Sequence, residues 1–165
     1  MASTYAKQPV LPQLRYEYPS EAIAWLCRVF GFTEQVRLSG PDGEVYISEI
    51  VSPGGGMVMI AGPFDEREKT RLRNALVDYR DIAVAEQPWP NLSYSITAIV
   101  PDVDAHYEAA RAEGAQILVP PQDQPWGLRD YEVLDLDGRL WNFSQHLNDV
   151  EPEDWGAKQV AAARD

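Results

Sequence analysis

Two kinds of stretch alternate along the chain, one with apolar residues at every second position and one with apolar residues three and four apart, and their order occurs twice. Residues 9–16 read as a strand. Ile23, Leu26, Cys27 and Phe30 then fall on one helical face, with Ser20 placed to cap the helix and Gly31 placed to end it in the left-handed region. Residues 32–38, 44–51 and 57–61 read as strands, separated by Gly40-Pro41-Asp42-Gly43 and Ser52-Pro53-Gly54-Gly55-Gly56, both rich in turn formers. The first unit is βαβββ.

The second unit opens at Asn91. Ser93, Ser95 and Thr97 alternate with Tyr94, Ile96 and Ala98, the mark of a half-buried strand. Asp102 is placed to cap a helix whose buried stripe is Val103, Tyr107 and Ala110, and Gly114 stops it. Strands follow at 116–119, 131–134 and 140–145, the last two joined by Asp135-Leu136-Asp137-Gly138. The order is again βαβββ, and one shift along the chain lays Ala22 on Ala105 and Gly31 on Gly114, as a duplication requires. Two matched halves are expected to pair into one sheet.

The expected organisation is a single α+β domain over residues 1–165: module one at 9–62, a connecting segment at 63–90, module two at 91–146 and an acidic tail at 147–165. The connection is too long for a simple loop, and Leu72, Ala75, Leu76 and Tyr79 fit one face of an extra helix. That helix reads as a surface crossing between modules rather than as a lid or a dimer contact.

Charge and composition narrow the chemistry. The 165 residues carry 26 acidic and 14 basic side chains, a net charge of −12, which opposes phosphate backbones and anionic lipid. No stretch approaches the roughly 18 consecutive apolar residues of a membrane span, and residues 1–10 lack a signal-peptide pattern, so a cytoplasmic protein is expected, without nucleic-acid or membrane partners. One cysteine, Cys27, rules out an internal disulfide, and with two histidines, His106 and His146, a thiolate or imidazole zinc cluster is hard to assemble. Cys27 reads as a small core residue and His106 as a solvated side chain on the charged face of the second helix. There is no Gly-x-Ser-x-Gly, no phosphate-binding loop and no suggestive Cys–His spacing, so hydrolase and nucleotide chemistry have no positive support.

Ala22-Ile23-Ala24-Trp25-Leu26 through Phe30-Gly31-Phe32 is similar to the first-helix signature of glyoxalase and bleomycin-resistance proteins. The second half matches better: Asp102-Val103-Asp104-Ala105, Gly114-Ala115, Gln124-Pro125-Trp126-Gly127-Leu128-Arg129 and Asp135-Leu136-Asp137-Gly138-Arg139-Leu140-Trp141-Asn142-Phe143 follow the pattern of the vicinal oxygen chelate superfamily in order and spacing. Over residues 9–146 the resemblance implies two βαβββ modules curled into a cup, helices outside and a small-molecule site inside.

The resemblance also implies where that family's metal ligands would stand: one on the first and one on the last strand of each module, here Leu11, Met59, Ser95 and Asn142, with Gln13 replacing Leu11 if the first strand slips by two. None suits a divalent metal, so no metal and no cofactor are expected. Strand parity then sets Gln13, Arg15, Met59, Ser93, Ser95, Thr97, Asn142 and Ser144, together with His146, toward the cup. Leu14, Ile96, Ala98, Trp141 and Phe143 are set toward the helices. Trp126 is either an aromatic wall for a stacked ring or a plug at the sheet's edge. Arg15 is expected to pair with Glu49 rather than meet an anionic ligand, and Arg129 reads as a structural or rim cation. Glu49 is the single candidate base.

Two functions remain open at this point. One, resembling bleomycin-resistance proteins, is a metal-independent binding module for a small aromatic or cationic molecule, conferring antibiotic resistance from grooves of a homodimer. The other, resembling glyoxalases, dioxygenases and related enzymes, is a lyase, isomerase or dioxygenase that is metal-dependent or uses Glu49 as base.

Overall fold

The structure is a computed structural model that describes residues 10–76 and 94–158. Module one contains β1 (Gln13–Arg15), α1 (Pro19–Phe30), β2 (Thr33–Ser39), β3 (Val45–Val51) and β4 (Met57–Ala61). The helix α2 (Glu66–Leu76) follows. Module two contains β5 (Ser95–Ile99), α3 (Val103–Ala112), β6 (Gln116–Asp123), β7 (Leu128–Leu134) and β8 (Leu140–His146), and a short 3-10 helix spans Pro152–Trp155. The βαβββ order thus occurs twice. Tyr79 and Ser93 lie outside the described residues, as do the side chains of Leu72, Ala75 and Leu76.

The helices are set by their ends. Asp102 caps α3 as expected, accepting the Ala105 N–H at 2.9 Å. Ser20 does not cap α1: the cap is Tyr18 and Pro19 occupies the first turn, where a missing N–H costs nothing, so Ser20 lies inside the helix. Gly31 closes α1 at φ 67°. Asp65 and Glu68 form a reciprocal box at the start of α2, Asp65 Oδ1 accepting the Glu68 N–H at 2.6 Å and Glu68 Oε2 accepting the Asp65 N–H at 3.2 Å.

Hydrogen bonding divides into two four-stranded sheets, β1-β4-β3-β2 and β5-β8-β7-β6, and no ladder joins them among the described residues. In each sheet the first strand lies parallel to the last and the other pairs are antiparallel. Side chains and a loop, rather than a continuous ladder, dock the modules. The Tyr16 hydroxyl donates to Asp135 Oδ2 at 2.6 Å, and Arg139 Nη2 donates to the Arg15 carbonyl. The β3–β4 turn lies so close to β5 that a Cβ on Gly54 would stand 1.9 Å from the Ile99 carbonyl oxygen. Only glycine permits that approach.

One hydrophobic cluster spans both modules, including Leu14, Ile23, Leu26, Phe30, Ile50 and Ile60 from the first and Val103, Ala110, Tyr131, Trp141 and Phe143 from the second. Phe30, at the end of α1, packs edge-on against Phe143 at 4.9 Å and Trp141 at 5.8 Å. Ile96 and Ala98 pack against the same cluster, as their strand parity predicts, and so does Cys27, as its place on the helical stripe predicts.

His106 is not solvated. Its ring is half-buried between Nδ1···Tyr131 Oη at 2.7 Å and Nε2···Phe30 O at 3.0 Å, with the Phe143 ring 4.2 Å away. The charged face of α3 turns this residue toward the end of α1, a contact that helical periodicity within α3 does not encode. Burial pulls its pKa below 6.5.

Among the described residues, no helix is long and apolar enough to cross a membrane.

Candidate functional site

Leu14, Ile60 and Ile50 in the first sheet and Ile96, Ala98, Trp141 and Phe143 in the second point into the shared core or pack on it. Their strand neighbours therefore form an outer face on each sheet. Register arranges the central residues of these faces in rows. In module one Gln13 lies beside Met59, Met59 beside Glu49, and Glu49 beside Val36. In module two Thr97 lies beside Asn142, Asn142 beside Glu132, and Glu132 beside Val119. Ser144 adds a hydroxyl that donates to Asn142 Oδ1 at 3.0 Å and is itself buried.

This register moves two positions of the sequence alignment. The first-strand neighbour of Met59 is Gln13 rather than Leu11, which precedes β1. The first-strand neighbour of Asn142 is Thr97, whereas Ser95 lies beside Leu140. The reason is that β1 and β5 pair with the last strands at positions that backbone hydrogen bonding selects and strand parity alone leaves open.

The residues at these positions do not fit a divalent metal. A thioether is a soft donor, and two amides and a hydroxyl are neutral and weak, while zinc, nickel or iron sites are built from imidazole, thiolate or carboxylate. Among the described residues no group of three or more His, Cys, Asp and Glu side chains is arranged to hold an ion.

Arg15 does not pair with Glu49. β4 lies between their strands, and Arg15 shares its row with Ala61 and Ile47 while Glu49 shares the row of Gln13. The guanidinium donates instead to the Gly62 carbonyl at 2.8 Å, stacks 3.7 Å over the Phe64 ring and lies 3.6 Å from Glu68. Glu49 is 3% exposed and no ion pair reaches it among the described residues. Glutamate is rarely so covered without an ionic partner, which singles out this position.

From the Gln13 row a cleft of about 820 Å³ runs to the end of the sheet where α1 begins. Its walls combine the aromatic rings of Tyr18, Tyr46 and Phe64 with the carboxylates of Glu17, Glu44 and Glu68. Arg15 is the one cation lining it among the described residues, and its charge is already answered by Phe64 and Glu68. A second cleft, of about 520 Å³, follows the junction of the modules between Pro12, Phe32, the Gly54–Gly56 turn and Ile96–Ile99. Thr97 takes part in its lining.

Trp126 stands apart from both rows. It occupies the β6–β7 turn, 43% exposed, with its ring edge-on to Trp155 at 6.1 Å. Arg129 is a rim cation held between Asp104 at 3.0 Å and Asp123 at 2.7 Å, and these two carboxylates raise its pKa. His146 pairs with Asp149 at 2.9 Å. Sequence reasoning missed Glu132, Tyr18, Tyr46 and Phe64. For Glu132 a signal was present, because the shift that lays Gly31 on Gly114 also lays Glu49 on Glu132.

Known proteins resemble the chain in both sequence and fold. An uncharacterised protein of Mycobacterium bovis is 25% identical over 148 residues, which cover 89% of this chain and 90% of that protein. The crystal structure of TioX from Micromonospora sp. ML1 superposes with a TM-score of 0.62 at 29% identity, covering 87% of this chain and all of that one. A glyoxalase/bleomycin resistance protein/dioxygenase family enzyme from Burkholderia phytofirmans PsJN, at 15% identity, shares the fold with a TM-score of 0.57 over 83% of this chain and 97% of its own. Residues 11–143 match the family itself, and the chain belongs to the glyoxalase/bleomycin resistance protein/dioxygenase superfamily.

Proposed function

We propose that this chain is a metal-independent cytoplasmic protein that binds a small, aromatic or cationic molecule in the cup of its sheets, on the faces turned away from the helices. The observation that carries this reading is the pair of central rows, in which Gln13 lies beside Met59 and Thr97 beside Asn142, side chains that suit an organic molecule better than a divalent ion. Gln13, Met59, Thr97 and Asn142 offer amide, thioether and hydroxyl contacts that orient an organic molecule. Ser95 and Ser144 extend the polar floor of module two. Arg15 stiffens the wall of the adjoining cleft, and Trp126 serves as an aromatic contact at the rim.

A homodimer completes the grooves in this reading. Val36, Leu38 and Ile99 belong to the outer faces and are 45%, 58% and 49% exposed, apolar surface that a second copy would cover. Sequestration of a drug-like cation would make such a protein an antibiotic-resistance factor.

The test begins with elemental analysis of protein purified without chelator, before and after incubation with nickel, zinc, iron and manganese. The expected result is less than a tenth of a metal per chain in both samples, followed by a change in tryptophan emission on titration with aromatic cations. One tightly held metal per chain would overturn the reading, and so would a monomer at micromolar concentration that answers no ligand.

The buried Glu49 favours a second reading, an isomerase in which its carboxylate removes a proton from carbon beside a carbonyl and the Gln13 amide donates to the resulting oxyanion. Solvent deuterium exchange into a bound carbonyl compound, lost in Glu49→Gln, is the result this reading requires.

A further inference from the structure

We propose that the cleft of about 520 Å³ at the junction of the modules is a second binding site, shaped for a neutral, flat aromatic molecule. Of the described residues that line it, Thr97 alone also belongs to the central rows, so this site stands apart from the cup.

Duplication gives the junction two equivalent places, and their contents differ. The turns before the last strands are built alike. Ser52 and Asp135 each donate a backbone N–H four residues on, to the Gly56 carbonyl at 2.8 Å and the Arg139 carbonyl at 3.0 Å, and Gly55 and Gly138 both take positive φ, at 89° and 75°. The first strands also match: the Tyr16 N–H donates to the Ala61 carbonyl at 3.0 Å and the Val100 N–H to the Ser144 carbonyl at 2.8 Å. Beside the second turn stand Asp135, Arg139, Trp141 and Tyr16. Their equivalents beside the first turn are Ser52, Gly56, Val58 and Val100.

At the second turn these side chains fill the space. Tyr16 Oη and Trp141 Nε1 donate to Asp135 at 2.6 and 3.2 Å, and the Arg139 guanidinium stacks 4.0 Å over the Tyr16 ring. At the first turn all four are cut back, and Ser52, Gly56 and Val58 line the cleft. Two rings and a planar guanidinium are thus replaced by small groups, which leaves room for a flat body of about two fused rings, in a cleft of ordinary ligand-site volume.

The walls select against charge. Pro12, Phe32, Val58, Ile96 and Ala98 make them apolar, and among the described residues no ionisable side chain lines the cleft, in a chain whose residues are 24% charged. A charged ligand would lose hydration there with nothing in exchange, whereas a flat neutral one gains from burying its faces. Polar contact is left to Thr97. Bonding of Val100 to Ser144 turns alternate β5 residues toward β8, so the Thr97 N–H and C=O lie on the opposite edge of the strand, toward module one. The ligand class is therefore a neutral aromatic carrying one N–H or O–H.

N-phenyl-1-naphthylamine and 1-anilinonaphthalene-8-sulfonate share one ring frame and differ in the sulfonate, which makes them the probes, titrated by fluorescence into the full chain. Wild type is expected to bind the neutral amine at least about ten-fold more tightly than the sulfonate. Gly56→Gln returns a side chain nearly as long as that of Arg139 without its charge, and its Cβ meets only the Ser52 hydroxyl oxygen within 4 Å, at 3.3 Å. Val58→Trp returns the indole of module two. Each is expected to weaken the amine about ten-fold or more, and Gln13→Ala, in the cup and beside the other cleft, to leave it unchanged. Circular dichroism checks the fold of each variant, and Gly56→Gln, at an exposed turn, decides alone if Val58→Trp does not fold.

Full affinity for the amine in Gly56→Gln and in a folded Val58→Trp would overturn the site. Equal affinity of wild type for the two dyes would overturn its selection against charge. If affinity falls in Gln13→Ala and not in Gly56→Gln, the amine sits in the cup, so this inference fails and the binding function stands. If neither dye binds, this inference fails, and titration with aromatic cations still decides the function of the cup.

Discussion

The two modules share a topology and differ in the path the chain takes beyond their last strands. After β4 the chain leaves through Gly62, Pro63 and Phe64 into α2, and this departure leaves the cleft of about 820 Å³ at the end of the first sheet. After β8 it folds back over the β6–β7 turn, where the Leu147 and Asn148 N–H groups both donate to the Gly127 carbonyl, at 2.9 and 3.3 Å. At the corresponding end of module two Asp130 and Ser144 are buried, and the Gln124 amide donates to Asp130 at 2.7 Å. Duplication supplied two equivalent scaffolds, and the segment added after each made one end open and the other closed.

The turns before the last strands differ just as sharply, and substitution there has the largest expected effect. Asp135 accepts from Tyr16 Oη, Trp141 Nε1 at 3.2 Å and the backbone N–H groups of Asp137 and Arg139, both at 2.9 Å. Its place in module one is taken by Ser52, whose Oγ accepts the Gly56 N–H at 3.0 Å. Removing the buried carboxylate strands several donors and Arg139. Asp135→Ala should cost about 3–5 kcal/mol in urea unfolding, against about 1 kcal/mol for Ser52→Ala. Equal costs would remove the asymmetry.

Glycine substitutions come next. Gly54→Ala should lose about 1–3 kcal/mol because its Cβ would overlap the Ile99 carbonyl of the other module. Gly55→Ala meets no atom within 4 Å and suffers only the cost of φ 89°, about 1 kcal/mol. If the two cost the same, the β3–β4 turn does not set the spacing of the modules.

His106 links α3 to the last carbonyl of α1, and its contribution depends on pH. Its folded pKa lies below the unfolded value of 6.5, so the unfolded chain binds the proton more readily. Stability from this residue is whole above pH 6.5 and is lost as the pH falls below it toward the folded pKa. Unfolding curves at pH 7.5 and 5.5 should show a larger loss in wild type than in His106→Gln, and parallel losses would contradict the buried neutral ring.

The smallest expected effect is at the exposed indole pair. Trp126→Ala removes one edge contact with Trp155 and should cost about 0.5–1 kcal/mol, read by thermal melting. A loss several times larger would mean that this turn also anchors the second sheet.

Strand β4, the caps Asp102 and Gly31, and the faces of Ile96, Trp141 and Phe143 were legible because each depends on neighbours within a few residues. Ser20 was misplaced because Pro19 outranks it at a helix start, a local rule given too little weight. The Arg15–Glu49 pair failed for another reason. Parity assigns a face but does not say which strand lies between two residues, and β4 separates these two. The burial of His106 and the cleft beside Arg15 depend on Phe30 and Phe64, far away in sequence.

The sequence by itself determined the order of the elements, their repeat and the facing of Leu14, Ile96, Ala98, Trp141 and Phe143, since the alternation of side chains along a strand is a property of covalent geometry. Only the tertiary structure decided that Gln13 and Thr97 stand beside Met59 and Asn142, that Glu49 is buried, and that one sheet end is open and the other closed. Those outcomes follow from hydrogen-bond register and long-range packing, whose energies are summed over residues that no local window of the chain brings together.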